Sequence, residues 1–217
     1  MNARVLSVNT GRAADAVLKG RQARTAICKR PAAGPVAIGR LGAAGDEQAD
    51  LVEHGGPEQA LYAYTREDLD WWVEQLQREL PDGMFGENVT TAGLDISGAL
   101  IGETWRLGAA VVQVTSARLP CVTFAGWMDE KGWVRRFAAA GRPGAYLRVL
   151  EEGTVECGDL VEVLDRPAVR VTVADSMRAF YGDTDIMRRL VTVAGRSPKI
   201  DEAAAAVLAR AAARGTD

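Results

Sequence analysis

Val111-Val-Gln-Val-Thr-Ser-Ala-Arg-Leu-Pro-Cys-Val-Thr-Phe-Ala125 is the stretch that organises this chain. Its first half is rich in β-branched residues. Gln113, Thr115 and Ala117 alternate there with Val112, Val114 and Ser116, which is the period of a strand. Its second half reads as the start of a helix, with Pro120 near the first turn, where a missing backbone N–H costs little. Arg118 and Cys121 fall at the junction. A thiol in that place meets unpaired backbone N–H groups, the positive end of the helix dipole and a guanidinium, and all three favour the thiolate. A thiolate suits nucleophilic chemistry, sulfur transfer or ligation of a soft metal. The competing reading of Cys121 is a small apolar residue in the core, as most free cysteines are.

Composition narrows the field. The 217 residues are 47% hydrophobic with a formal net charge of −3, so bulk electrostatics point neither to nucleic acid nor to an anionic membrane. Cys28, Cys121 and Cys157 lie far apart, and no CxxC pair is present for a zinc or iron–sulfur site. His54 is the single histidine, which excludes a multi-histidine metal site within one chain. An odd cysteine count without a signal-peptide pattern leads us to expect the reducing cytoplasm. No apolar run approaches the length of a membrane span.

Outward from the junction, Arg4-Val-Leu-Ser-Val8 reads as a first strand, residues 10 to 24 as a polar loop, and Gly34 to Leu41 as a second strand. Leu61-Tyr-Ala-Tyr64 is a short buried strand. The clearest helix runs from Asp68 to Leu80, where Leu69, Trp72, Val73, Leu76 and Leu80 form one stripe. Thr65 with Asp68 resembles a capping box, and Pro81 stops the helix. Ile101-Gly-Glu-Thr-Trp-Arg-Leu107 and Cys157-Gly-Asp-Leu-Val-Glu-Val163 share one pattern of Gly, acid, then alternating apolar residues, which suggests two similar turn-plus-strand units. Asp129 to Ala140 is the second helix, with Trp133, Val134 and Phe137 inward and Gly141 past its end. Beyond Arg166-Pro167, Val173 to Tyr181, Asp185 to Ala194 and Asp201 to Ala213 read as three short helices. The expected architecture is mainly β with α: a β-barrel with inserted helices over residues 1–165, then a small three-helix C-terminal tail over 166–217.

His54-Gly-Gly-Pro, Leu61-Tyr-Ala-Tyr, Phe85-Gly-Glu-Asn-Val-Thr-Thr, Ile101-Gly-Glu, Arg118-Leu-Pro-Cys121, Gly141-Arg-Pro-Gly-Ala-Tyr and Gly158-Asp159 occur in this order. Together they resemble the MOSC domain family, named for the C-terminal domain of molybdenum cofactor sulfurase, and the appended helices resemble the tail of its YiiM-like branch. The likeness covers nearly the whole chain, and Phe-Gly-Glu-Asn with Arg-x-Pro-Cys is its most specific pair. It implies a MOSC-type β-barrel that binds the molybdenum cofactor (Mo-molybdopterin), with Cys121 as the protein's ligand to molybdenum. It also implies reduction of N-hydroxylated compounds such as hydroxylaminopurine base analogues. A thiolate is a soft ligand, so the local chemistry of Cys121 agrees.

A pterin cofactor is long and carries a phosphate, so it needs cations and backbone N–H donors along a groove. By the resemblance Thr25, Lys29, Glu87, Asn88, Arg118 and Arg142 are candidates, and His54-Gly55-Gly56 offers close backbone approach. The chain departs from the family pattern at Val52-Glu53 and Gln59, where basic residues are expected. It carries no flavin fingerprint and no cluster motif, so the electrons are expected from a separate reductase, a flavoprotein or an iron–sulfur protein. Two other functions suit the same thiol: a sulfur carrier holding a Cys121 persulfide, and a non-catalytic module that binds or delivers the cofactor.

Overall fold

The computed structural model describes residues 2–49 and 55–214. The chain opens with β1 (Arg4–Thr10), β2 (Ala14–Leu18), β3 (Arg21–Thr25), β4 (Arg30–Pro31), β5 (Val36–Gly39) and β6 (Gly42–Ala43). A short 3-10 helix, Pro57–Gln59, leads into β7 (Leu61–Thr65), α1 (Arg66–Leu76) and β8 (Val89–Ala92). Then follow β9 (Thr104–Leu107), β10 (Ala110–Ala117), α2 (Val122–Met128), α3 (Trp133–Ala140), β11 (Ala145–Glu151), β12 (Gly153–Val155) and β13 (Val161–Asp165). The last three elements are α4 (Val173–Phe180), α5 (Thr184–Leu190) and α6 (Pro198–Arg214).

Eight strands form one sheet in the order β13-β9-β10-β11-β7-β8-β1-β4. The two similar units of the sequence meet in it: β13 lies antiparallel to β9, with Val161 opposite Leu107 and Val163 opposite Trp105. Among the described residues only β7 and β8 pair in parallel. A parallel pair cannot be joined by a tight turn, and α1 lies in the crossover between them. The fold is thus mixed α/β around a large sheet. The barrel expected from the sequence is not what the strand ladders trace, because among the described residues no ladder joins β13 to β4. The two ends approach through a single bridge, Arg4 to Leu160, and backbone bonds from Val5 N to Asp159 O (2.8 Å) and Gly158 N to Val5 O (2.9 Å).

The stretch read as a loop over residues 10 to 24 is a hairpin, β2–β3, turning at Lys19 (φ 49°) and Gly20 (φ 77°). Two positive φ values match the twist of a tight hairpin. β3 is polar, and β2, although mostly apolar, packs little of itself away and leaves Val17 exposed, so the pair carries no buried face to read in the sequence. The first helix starts where its cap lies, with Thr65 Oγ1 accepting the N–H of Asp68 (2.9 Å). It ends earlier than the apolar stripe: Gln77 turns left-handed (φ 52°), and Leu80 joins the core from the following loop.

β7 is buried on both faces. Leu61 and Ala63 face the larger apolar cluster, while Tyr62 and Tyr64 face a second one built from Trp72, Phe85, Phe124, Trp133 and Phe137. That second cluster anchors α1, α2 and α3 to one side of the sheet. Gly144 permits the fit: it has φ 66°, and a Cβ there would lie 2.5 Å from the Tyr64 ring. The larger cluster continues past Asp165 into Val173, Met177, Met187, Leu190 and Ile200 of the C-terminal helices. Backbone bonds join the two regions as well, from Ile101 N to Val171 O (2.9 Å) and Ser197 N to Thr115 O (3.0 Å). No helix among the described residues is long and apolar enough to cross a membrane.

α4 carries a reciprocal cap. Thr172 Oγ1 accepts the N–H of Asp175 (3.0 Å), and the Asp175 carboxylate accepts the N–H of Thr172 (3.3 Å). Thr172→Ala is therefore expected to lower global stability by about 1 kcal/mol in urea denaturation. An unchanged midpoint would mean that packing alone holds α4.

Candidate functional site

β10 ends at Ala117 and α2 begins at Val122, so the residues between them turn a corner at the top of the sheet. Cys121 is the N-cap of α2: its Sγ accepts the N–H of Phe124 at 3.4 Å. Its side chain is partly exposed. Arg118 turns inward and is buried. The guanidinium carbon lies 3.9 Å from the Phe124 ring centre and 4.9 Å from that of Tyr62, within cation–π range of both. Nη1 donates to the carbonyl of Phe85. A helix-start N–H and a buried cation thus flank the thiol, and both stabilise negative charge on sulfur.

The carbonyl that holds Arg118 is itself held. Glu87 is fully buried, and its carboxylate accepts N–H groups of Gly83 (2.6 Å) and Phe85 (2.9 Å) and the hydroxyl of Thr90 (3.1 Å). This clamps the Gly83–Glu87 turn. Burial pushes the Glu87 carboxyl up to about 7, against the hydrogen bonds that favour its charged form.

A cleft opens beside Cys121. Five residues singled out in the sequence line it: Thr25, Lys29, Asn88, Arg118 and Cys121. All five are already engaged, Arg118 and Cys121 as described above. Lys29 Nζ pairs with Asp46, and both side chains are nearly buried. Burial pushes the Lys29 ammonium down from its usual range, while Asp46 pulls the other way. Asp46 also accepts the N–H of Gly11 (2.8 Å) and the Asn88 amide (2.8 Å), and Asn88 Oδ1 accepts the N–H of Tyr62 (3.1 Å). Thr25 Oγ1 accepts the N–H of Ile27 (3.1 Å).

The other candidates lie elsewhere. Glu87 stands behind the cleft wall rather than on it. Arg142 is not at the cleft: its guanidinium pairs with Asp68 and covers Trp71 at 4.9 Å. His54 lies outside the described residues. Gly56 has φ 83° and donates its N–H to Gln48 Oε1 (2.8 Å), and Gln48 is a wall residue, so the Gly55-Gly56 turn reaches the cleft through that contact.

Sequence reasoning missed Arg24, Asp46, Tyr62 and Tyr146, which also line the cleft, as does Gln59, noted above only as a departure from the family pattern. Asp46 carries no local signal, since its partners come from three other segments. Tyr146 had one: it lies in a quoted motif, and the β10–β11 register sets it opposite Ser116, two residues before Arg118. The described residues contain no group of three His, Cys, Asp or Glu side chains placed to hold a metal.

Residues 50–162 match the family described as the MOSC domain. YflK of Bacillus subtilis is 42% identical over 82% of this chain and 81% of its own length. A protein of Gibberella moniliformis named a reductase is 32% identical over 80% of this chain, which spans 31% of that protein. The crystal structure of YiiM from Geobacillus stearothermophilus superposes with a TM-score of 0.78 at 27% identity, covering 95% of this chain and 99% of that one.

Proposed function

The chain belongs to the MOSC domain family, and from that premise we propose that it binds the molybdenum cofactor and reduces N-hydroxylated compounds, with Cys121 as the protein's ligand to molybdenum. One observation carries the reading. A partly exposed thiol sits at a helix start, beside a buried guanidinium, at the edge of a cleft lined by Arg24 and Lys29 as well as Asp46 and Glu47. The donor set fits the group. A molybdenum–pterin brings its own sulfur ligands, so it asks the protein for one thiolate and for polar contacts along its length. The relative named a reductase agrees with the reaction class.

The cofactor, when bound, supplies two-electron chemistry at molybdenum. The net reaction is R–NHOH + 2e⁻ + 2H⁺ → R–NH₂ + H₂O, with the electrons from a separate flavoprotein or iron–sulfur reductase. The chain's own residues bind and orient. Arg118 holds an electron-rich part of the cofactor next to the thiol, and Thr25 and the Gly55-Gly56 turn line its path. Lys29 contacts the phosphate by sharing or releasing Asp46. Asn88 sets the spacing of Asp46 and Tyr62. Glu87 acts through the Phe85 carbonyl that positions Arg118, and Arg142 anchors α1 outside the cleft. No disulfide joins the three cysteines, and the proposal places the protein in a reducing cytoplasm.

Protein made in cells that synthesise the cofactor tests this. Near-stoichiometric molybdenum and pterin are expected, with turnover of an N-hydroxylated substrate on a supplied electron donor. Arg118→Ala should retain the cofactor about tenfold less tightly, roughly the 1.4 kcal/mol of one charge-assisted hydrogen bond. Arg118→Lys should recover only part, since Lys lacks the planar fork. Wild-type protein without molybdenum and pterin refutes the proposal, and cyanide-labile sulfur on Cys121 in its place points to the sulfur carrier.

A further inference from the structure

Five charged side chains among the described residues line the cleft beside Cys121: Arg24, Lys29, Arg118, Asp46 and Glu47. Four are held firmly by the protein itself. Lys29 pairs with Asp46, and that carboxylate also accepts the Gly11 N–H and the Asn88 amide, each at 2.8 Å. Glu47 accepts the N–H of Ala13 (2.8 Å) and faces Arg12 at 3.5 Å. Arg118 is buried, packs on two rings and donates to the Phe85 carbonyl. Arg24 is held by much less. Its Nη1 lies 3.8 Å from the Asp15 carboxylate, beyond hydrogen-bond range, and the two side chains are 62% and 88% exposed.

The backbone beneath Arg24 is nevertheless fixed. Among the described residues β2 and β3 pair only with each other, and a lone two-stranded hairpin is marginally stable. This one is moored at both ends. At its root the Gly11 and Ala13 N–H groups bond Asp46 and Glu47, the two acids of the cleft wall. At its tip Lys19 Nζ donates to the Glu130 carbonyl (3.1 Å) just past α2, and Leu18 lies so close to Gly126 that an added Cβ there would stand 2.8 Å from its own. The hairpin thus holds the Arg24 backbone at the cleft, and only the side chain has to move. Its present partner, Asp15, sits opposite it on β2 and is not a wall residue. Magnitudes decide which partner wins. An exposed pair of this kind shifts an equilibrium by at most about fivefold, whereas a charge-assisted hydrogen bond to a phosphate is worth about tenfold or more.

We propose that Arg24 is a ligand-binding residue of this cleft: it leaves Asp15 and pairs with the phosphate of the bound ligand, with hairpin β2–β3 as the arm that carries it there. The inference rests on the cofactor reading and deepens it by naming a cation that Asp46 does not offset. It also gives the exposed hairpin a task.

Cofactor-free protein is titrated with inorganic phosphate by calorimetry in about 0.15 M salt, where attraction beyond about 8 Å is screened. Cofactor-loaded protein is dialysed and analysed for molybdenum and pterin. Arg24→Ala is expected to bind phosphate about tenfold more weakly and to lose cofactor about tenfold faster, and Arg24→Lys to recover part. Asp15→Asn frees Arg24 and is expected to bind phosphate up to about fivefold more tightly. Arg21→Ala removes an equal charge from the same hairpin outside the cleft wall, and should change binding by less than about twofold. Unchanged phosphate binding in Arg24→Ala overturns the assignment. Equal losses in Arg24→Ala and Arg21→Ala also overturn it, because only the general field of the hairpin then matters, and so does a wild type that binds no phosphate at millimolar concentration. Cofactor held by Arg24→Ala as firmly as by wild type rejects the assignment and leaves the reductase reading standing. Should wild-type protein hold no molybdenum or pterin, the reductase reading fails by itself, and phosphate binding that depends on Arg24 still supports the site.

Discussion

Cys121→Ser should fold like the wild type and lose reduction of N-hydroxylated substrates by at least about a hundredfold, more than the loss typical of removing an outer hydrogen-bond partner of a metal ligand. Folding should survive because the side chain is a helix cap. Its Sγ accepts the Phe124 N–H at 3.4 Å, and a serine oxygen performs that task as well or better. Activity should not survive, because a serine hydroxyl stays protonated at neutral pH and is a poor ligand for a soft site. Cys28→Ser and Cys157→Ser should remain active, since both residues are exposed and neither caps a helix beside a buried arginine. Stability by urea denaturation and turnover on a supplied electron donor separate the two effects. Wild-type protein that turns over without any sulfur source is an enzyme, and one that stays inert until Cys121 is loaded with sulfur is a carrier. Full reductase activity in Cys121→Ser would end the molybdenum–thiolate assignment.

Glu87 should make the fold less stable as pH rises from about 4.5 to about 7. Its carboxyl titrates near 4.5 in the unfolded chain and near 7 in the folded protein. The native state therefore binds the extra proton across that window, and stability is lost as the proton leaves. The difference corresponds to at most about 3 kcal/mol for a fully buried group. Asp68 is raised by burial in the same direction despite Arg142, so it adds to the slope. Glu87→Gln should flatten this dependence. It should also cost about 1–3 kcal/mol at acid pH, because one amide group must face a backbone N–H with a donor instead of an acceptor. Urea midpoints from pH 4.5 to 7.5 for both proteins test it. A slope unchanged in the variant would assign the pH dependence to other groups.

Local signals carried much of the architecture. Strand period and cap chemistry placed β10, the start of α1 at Thr65, the end of α3 at Gly141 and the strand-to-helix corner at Cys121. These features depend on residues within one or two turns of each other. The hairpin β2–β3 escaped because it buries neither face: β3 is polar and the apolar residues of β2 stay largely exposed, so no in–out alternation is written into them. The end of α1 was misplaced because an apolar stripe continues through Leu80, which is buried whether or not its backbone is helical.

The sequence by itself determined that a cysteine falls at a strand-to-helix junction after a long apolar strand, with an arginine three residues before it; that it is the cap itself, with Pro120 ahead of the helix, came from the structure. The resemblance to the MOSC family named Thr25, Lys29, Asn88, Arg118 and Cys121, which line the cleft, together with Glu87 and Arg142, which do not. Tertiary structure alone decided which charges remain available there. Lys29 is offset by Asp46, 17 residues away, and Arg142 is drawn to Asp68, 74 residues away. It also brought Gln59, Tyr146 and α6 to the thiol. The physical reason is range. Helix period and capping act between near neighbours, whereas ion pairs and cleft walls form between whichever segments the sheet order sets side by side, and strand order depends on the packing of the whole chain.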